Sequence, residues 1–196
     1  MNSTFSDSKL DAIFLQVAEP QFVSTKNVFH DLLSCIIEQQ IHYRSTKHIF
    51  RNLMVKAGLD ELSLSNFGVF DERALQFIKI SMNKAETIAR ICDYFESSDT
   101  EWENLSDMEV REKLSSIKGV GAWTIDMILL YTLGRKNIFP VDDFHLKQIM
   151  VDVYGLDASS KLKAQMHAVA EHWGDEKSKA VLYLLEYKRL RKRSKV

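Results

Sequence analysis

The 196-residue chain is 45% hydrophobic and 27% charged, ordinary for a soluble globular protein and enough for one good core or two small lobes sharing an interface. No apolar run approaches the roughly 20 residues that span a bilayer, and MNSTFSDSKLDA lacks the basic and apolar segments of a secretory signal. A cytoplasmic protein with no membrane partner is therefore expected. Cys35 and Cys92 stand apart without metal-ligand spacing, which argues against a disulfide framework or an iron–sulfur cluster.

Helical periodicity runs along the chain. LDAIFLQVA sets Leu10, Ile13, Phe14 and Val17 on one face. Segments 28–40 and 44–58 repeat the rhythm, the second closing on Gly58 as a C-cap. A helix is expected over 71–80 with Asp71 at its start. Another is expected over 83–95, where Asn83 and Glu86 form a variant capping box. Ser106 and Glu109 give the same signature at the head of SDMEVREKLSSI. Residues 122–134 form a helix ending at Gly134, Pro140 leads into a further helix, and 159–173 and 176–193 supply two more. No sustained two-residue alternation appears. The expected fold is all-α, about ten helices, in a single compact domain spanning 1–196.

The formal net charge of −1 is unevenly spread. KRLRKRSKV, residues 188–196, holds six of the 26 basic residues and no acid. Such a tail serves either as a phosphate-binding arm or as a cationic helix C-terminus favoured by the helix dipole.

IKGVGAW sets two of only seven glycines around one apolar residue between helices, in a hairpin over about 107–134. Glycine permits positive φ and close backbone approach. A helix starting at such a turn offers unpaired N–H groups that suit a phosphate oxygen. Leu114, Ile117, Val120 and Ile125 are expected to pack the hairpin into the core. Gly-x-Gly alone is a weak signal, because many helix corners contain it.

The context is more specific. LSSIKGVGAWTIDMILL, followed by FPVDDFHLKQ, resembles the helix-hairpin-helix (HhH-GPD) DNA glycosylase superfamily with its glycine-rich hairpin and essential aspartate. IIEQQIHYRSTKHI is similar to that superfamily's QQ helix, with His42 where serine is common. SMNKAETIARI is similar to its Gly-hydrophobic-Ser-x-x-Lys-Ala segment, with Ser81 replacing the glycine. AEHWGDEKSKAVLYLLEY resembles the closing helices of the AlkA-like DNA-3-methyladenine glycosylase II branch. The resemblance covers roughly residues 25 to 187, and its strength lies in the ordered combination.

It implies a two-lobed helical fold with an active-site cleft between the lobes. It also implies a monofunctional enzyme that hydrolyses the N-glycosidic bond of alkylated purines, such as 3-methyladenine, in base excision repair. Alternatives are a glycosylase of the same fold for uracil or mismatched bases, and a non-catalytic hairpin module that binds DNA. The implied partner is double-stranded DNA with damaged bases, met by a monomer. Only about 25 residues precede the matching segment, so the N-terminal α/β domain of AlkA is expected to be absent.

The family register of Asp, variable residue, His or apolar residue, then apolar residue fits Asp143-Phe144-His145-Leu146, making Asp143 the implied catalytic carboxylate. Asp142 is then a helix cap or a neighbour tuning the site. A lysine two residues after GVG marks the bifunctional members, and this chain has Trp123 there. Trp123, Phe144, Met127 and Leu185 are the implied base pocket. Met127 stands where AlkA has tyrosine and Leu185 where it has tryptophan. Tyr131, Tyr183 and Tyr187 are further aromatic candidates nearby. Gln39 and Gln40 match the duplex-probing turn. They share the implied DNA contacts with His42, Lys118, Gly119, Val120, Gly121 and Thr124. Backbone carbonyls of Ser115, Ile117 and Val120 align with those that hold a structural sodium or potassium ion in relatives, and no cofactor is required. His30, His48, His167 and His172 have no metal-ligand spacing and read as surface or capping residues.

Overall fold

The chain becomes helical wherever a capping side chain meets apolar residues at helical spacing. The computed structural model describes residues 7–21, 24–38 and 48–193, and no strand occurs among them. Two compact units divide the chain, one of Met1–Val23 with Gly134–Val196 and the other of Ser24–Leu133. Among the described residues no helix is long and apolar enough to cross a membrane.

The central unit contains α2 (Val28–Ile37), α3 (His48–Ala57), α4 (Phe67–Arg73), α5 (Met82–Ser97), α6 (Asp107–Ser115) and α7 (Ala122–Met127). Helix α2 is its axis. Asn27 caps it by accepting the His30 amide at 2.9 Å, and it packs against α3, α5 and α7. Only His30 among its ten residues is not buried, the pattern of a helix surrounded by protein. Burying side chains such as Leu32, Leu33 and Ile36 stabilises the unit by about 1.5–3 kcal/mol each. Phe29, Phe95 and Trp102 extend this core as tilted and edge-on rings 5.2–5.8 Å apart. His30 is half-buried rather than a surface residue, its Nδ1 accepting the Leu62 amide at 3.0 Å.

Asp31 is also buried in α2. Its Oδ2 accepts hydroxyl hydrogen bonds from Thr25 and Thr132, each at 2.7 Å, which offset its desolvation. Thr132 closes a π-helical turn, Ile128–Thr132, that continues α7. The expected helix over 122–134 therefore changes register near its end, with the Leu133 amide reaching back five residues to the Ile128 carbonyl at 2.9 Å.

Two expected helix starts are corrected. Asp71 lies inside α4, which begins at Phe67 after a capping box between Ser63 and Asn66. The chain then breaks at Ala74 into a 3-10 turn, Leu75–Phe77. Helix α5 is capped by Ser81, which accepts the Lys84 amide at 3.4 Å, so Asn83 already lies within it. At the end of α3 the Gly58 and Leu59 amides close onto the Val55 and Met54 carbonyls at 3.1 and 3.0 Å, as the C-cap reading expects.

The other unit contains α1 (Ser8–Gln16), α8 (Phe144–Tyr154), α9 (Leu162–Ala170) and α10 (Lys177–Arg193). Helix α10 packs against both α1 and α8. Leu10, Ile13, Leu146, Ile149, Met150, Val181 and Leu184 form the core, and Trp173 joins it edge-on to Phe139 at 5.6 Å.

Candidate active site

The hairpin is built by α6, a six-residue turn and α7. The expected capping box is present: Ser106 accepts the Glu109 amide at 3.3 Å, and the Glu109 carboxylate accepts the Ser106 amide at 2.8 Å. Leu114, Ile117, Val120 and Ile125 are all buried, as their spacing predicts. Arg111 and Asp126 tie the two helices together at 2.6 Å. In the turn the Val120 amide reaches the Ile117 carbonyl at 3.0 Å.

Gly119 has φ +105°, and a Cβ there would lie 2.1 Å from Thr87 Oγ1. The hairpin can approach α5 this closely only at a glycine. Gly121 caps α7 with no side chain, and nothing lies within 4 Å of a Cβ built on it. Gly121 and Ala122 are exposed, so the first turn of α7, whose amides have no acceptor within the helix, opens outward. Lys118 is exposed, and its carbonyl accepts from Arg90 at 3.4 Å. Thr124 is buried and does not share the open surface of that turn.

Asp143 sits at the head of α8 in the other unit. Pro140 begins the approach: its carbonyl accepts the Asp143 amide at 2.8 Å. Asp143 Oδ1 then accepts the Leu146 amide at 2.7 Å, making Asp143 the N-cap, and the residue is 7% exposed. Asp142 is therefore not the cap. It is exposed and ion-paired to Lys163 at 2.7 Å and Lys147 at 3.0 Å. Hydrogen bonds from Lys163 and then Lys147 hold its carboxyl below the usual range. Ser178 steadies the approach from α10, its hydroxyl accepting the Ile138 amide at 2.9 Å and donating to the Arg135 carbonyl at 2.6 Å. The sequence carried no local signal for the roles of Ser178 and Lys163.

The remaining residues of the sequence reading fall as follows. Phe144, beside Asp143, is 63% exposed, whereas Leu185 on α10 is buried. In the central unit Trp123 is half-buried and Met127 fully buried. Gln39, Gln40 and His42 lie outside the described residues. Just before them, Lys84 Nζ donates to the Ile37 carbonyl at 2.9 Å, and the Glu38 carboxylate accepts the Phe50 amide at 2.9 Å. Ser115 is exposed at the end of α6, while Ile117 and Val120 are buried. Among the described residues no three His, Cys, Asp or Glu side chains gather as a metal site.

The basic run from Lys188 continues α10 as far as Arg193. Several of its cations are engaged within the unit: Lys188 with His145 and Gln148, Arg189 with Glu186, and Arg191 with Asp152.

An all-helical chain with a glycine hairpin and an aspartate-capped helix defines a class. The chain belongs to the HhH-GPD superfamily of base excision DNA repair proteins, whose model matches residues 33–174. Among individual relatives, YfjP of Bacillus subtilis, provisionally named a DNA-3-methyladenine glycosylase, is 29% identical over 189 residues, covering 92% of this chain and 66% of that protein. DNA-3-methyladenine glycosylase 1 of Schizosaccharomyces pombe is 27% identical over 135 residues, covering 62% of this chain and 56% of that protein. The chain thus spans less than two thirds of either curated relative. The crystal structure of a DNA-3-methyladenine glycosidase from Bacillus halodurans superposes with a TM-score of 0.74 at 28% identity, covering 95% of this chain and 87% of that one.

Proposed function

We propose that this protein is a monofunctional DNA glycosylase that removes alkylated purines such as 3-methyladenine from double-stranded DNA. The observation that carries the reading is Asp143: a buried aspartate, 7% exposed as a residue, held by the Leu146 amide at 2.7 Å, in the register the superfamily uses for its essential aspartate. Cleaving an N-glycosidic bond develops positive charge on the sugar, and a carboxylate in a dry setting stabilises that charge and helps activate water. The 3-methyladenine names of the relatives support the substrate class.

The target base leaves the stack before its bond is reached. The exposed head of α7 holds a backbone phosphate during this step through amides such as that of Gly121, with Thr124 buried behind it. Such contacts position the duplex without reading sequence. Trp123 and Phe144 stack on the extruded base, and a cationic purine gains from the negative face of a ring. Met127 and Leu185 serve as apolar walls of the base site. Gln39 and Gln40 fill the gap in the duplex, with His42 at a neighbouring phosphate. Carbonyls of Ser115, Ile117 and Val120 hold a monovalent cation that stiffens the hairpin. The protein works as a monomer in the cytoplasm.

The test is single-turnover release of 3-methyladenine from methylated duplex DNA, followed by alkaline cleavage of the abasic product. Asn caps helices about as well as Asp. Asp143→Asn is therefore expected to fold and to bind DNA while losing about 10²–10³-fold in release rate. Asp142→Asn is expected to keep most activity, because it removes surface ion pairs only. Full activity in Asp143→Asn with loss in Asp142→Asn would transfer the role to Asp142. Binding without release by the wild-type protein would leave a DNA-binding module.

A further inference from the structure

Lys188 is the first residue of the basic run, but its ammonium turns inward. Its Nζ lies 2.9 Å from His145 Nδ1 and 3.3 Å from the His145 carbonyl, and it also bonds Gln148 Oε1. It lies 5.7 Å from the centroid of the Phe144 ring. All three partners belong to the first five residues of α8, directly after Asp143. Leu185 precedes Lys188 by one turn on the same side of α10.

This is a poor place for a cation. The N-terminus of a helix carries partial positive charge, so an ammonium there opposes the dipole. Burial depresses the Lys188 pKa, against the raising influence of Asp143 and Asp152, and Lys192 depresses it further. A Met or Leu would fill the same space without either cost. Local rules are broken at functional or strained sites, and this one lies beside the proposed reacting group.

We propose that Lys188 is a positioning residue for base release, fastening the first turn of α8 and so fixing the Asp143 carboxylate and the Phe144 ring. The inference rests on the reading of Asp143 as the catalytic carboxylate. Three donors on one ammonium meet two side chains and a backbone carbonyl, which restrains the turn in rotation as well as translation. Misplacing a reacting group by an ångström is costly to the chemical step and nearly neutral for binding.

The experiment compares single-turnover release of 3-methyladenine, and Kd for the same duplex, among wild type, Lys188→Met, Lys188→Arg and Gln148→Leu. Lys188→Met is expected to slow release by about 10–100-fold with Kd unchanged. Lys188→Arg, which keeps charge and donors, is expected to recover part of the loss. Release at the wild-type rate in Lys188→Met overturns the proposal. So does a rate loss matched by a rise in Kd, which would make Lys188 a phosphate contact. Should Lys188→Met fail to fold, Gln148→Leu decides, since it removes one acceptor and no charge. Slower release then supports the proposal, and an unchanged rate overturns it. A wild-type protein that releases no base would remove the glycosylase reading itself, and this inference with it.

Discussion

A methyl group added at Gly119 meets Thr87 Oγ1 at 2.1 Å on a backbone with φ +105°, and Thr87 is itself fixed by donating to the Asn83 carbonyl at 2.8 Å. Gly119→Ala is therefore expected to destabilise the protein by about 1–3 kcal/mol in urea unfolding, from overpacking together with the left-handed φ. Gly121 lies one residue beyond Val120 and carries no such constraint. Serine is a better N-cap than glycine by a few tenths of a kcal/mol, because its oxygen accepts an amide of the first turn. Gly121→Ser is expected to be as stable as wild type or slightly more so, and to bind duplex DNA more weakly, its hydroxyl competing with phosphate for those amides. Equal DNA affinity in Gly121→Ser would count against the open turn as a phosphate site.

At the scale of elements, the Asp7 carboxylate ties the head of α1 to its unit, beside the apolar packing of Leu10 and Ile13. Asp7 accepts the Lys9 and Leu10 amides at 3.0 and 3.1 Å, and its other oxygen accepts Tyr154 at 2.7 Å and the Trp173 indole at 2.9 Å. Burial pushes the Asp7 pKa upward, but the hydrogen bonds from Tyr154, Trp173, Leu10 and Lys9 outweigh it and the pKa falls below its ordinary value. A depressed carboxyl pKa stabilises the fold above the unfolded value of about 4, and the contribution is lost as pH falls through the lowered folded value. The indole N–H resonance of Trp173 is expected to shift over that acid window. In Asp7→Asn it should stay flat, with neutral-pH stability lower by about 1 kcal/mol. An indole shift in acid that persists in Asp7→Asn would assign the transition to another group. The bonds from Tyr154 and Trp173 were not legible in the sequence, because those residues lie 147 and 166 positions away. The capping box at Ser106 and the Gly58 stop were legible, since each depends on partners within five residues. Asp71 and Asn83 misled for the same reason: several nearby polar residues suit a cap, and packing chose among them. The hairpin was legible through the ordered motif, which also singled out Asp143, whereas Lys188 was hidden in a basic run, its partners 40 or more residues back.

For the molecule as a whole, the proposed glycosylase reaction is expected to stop at the abasic site. A lyase needs an amine that attacks the sugar and forms a Schiff base, and that amine must be unprotonated and within reach. The family resemblance places Trp123 where bifunctional members carry the lysine. Lys118 is exposed on the far side of the glycines. Lys188 is one amine suited by environment, since burial lowers its pKa, as it does that of Lys84. Yet its nitrogen is engaged with His145 and Gln148, and leaving them would release the turn that carries Asp143. Borohydride reduction during turnover of 3-methyladenine DNA is therefore expected to yield no covalent protein–DNA band, and the product strand should remain whole until alkali is added. A strong band would overturn the monofunctional reading. Its loss in Lys188→Met, with Lys118→Met still trapping, would identify Lys188 as the nucleophile and turn a hydrolase into a lyase built on a different helix from that of its relatives.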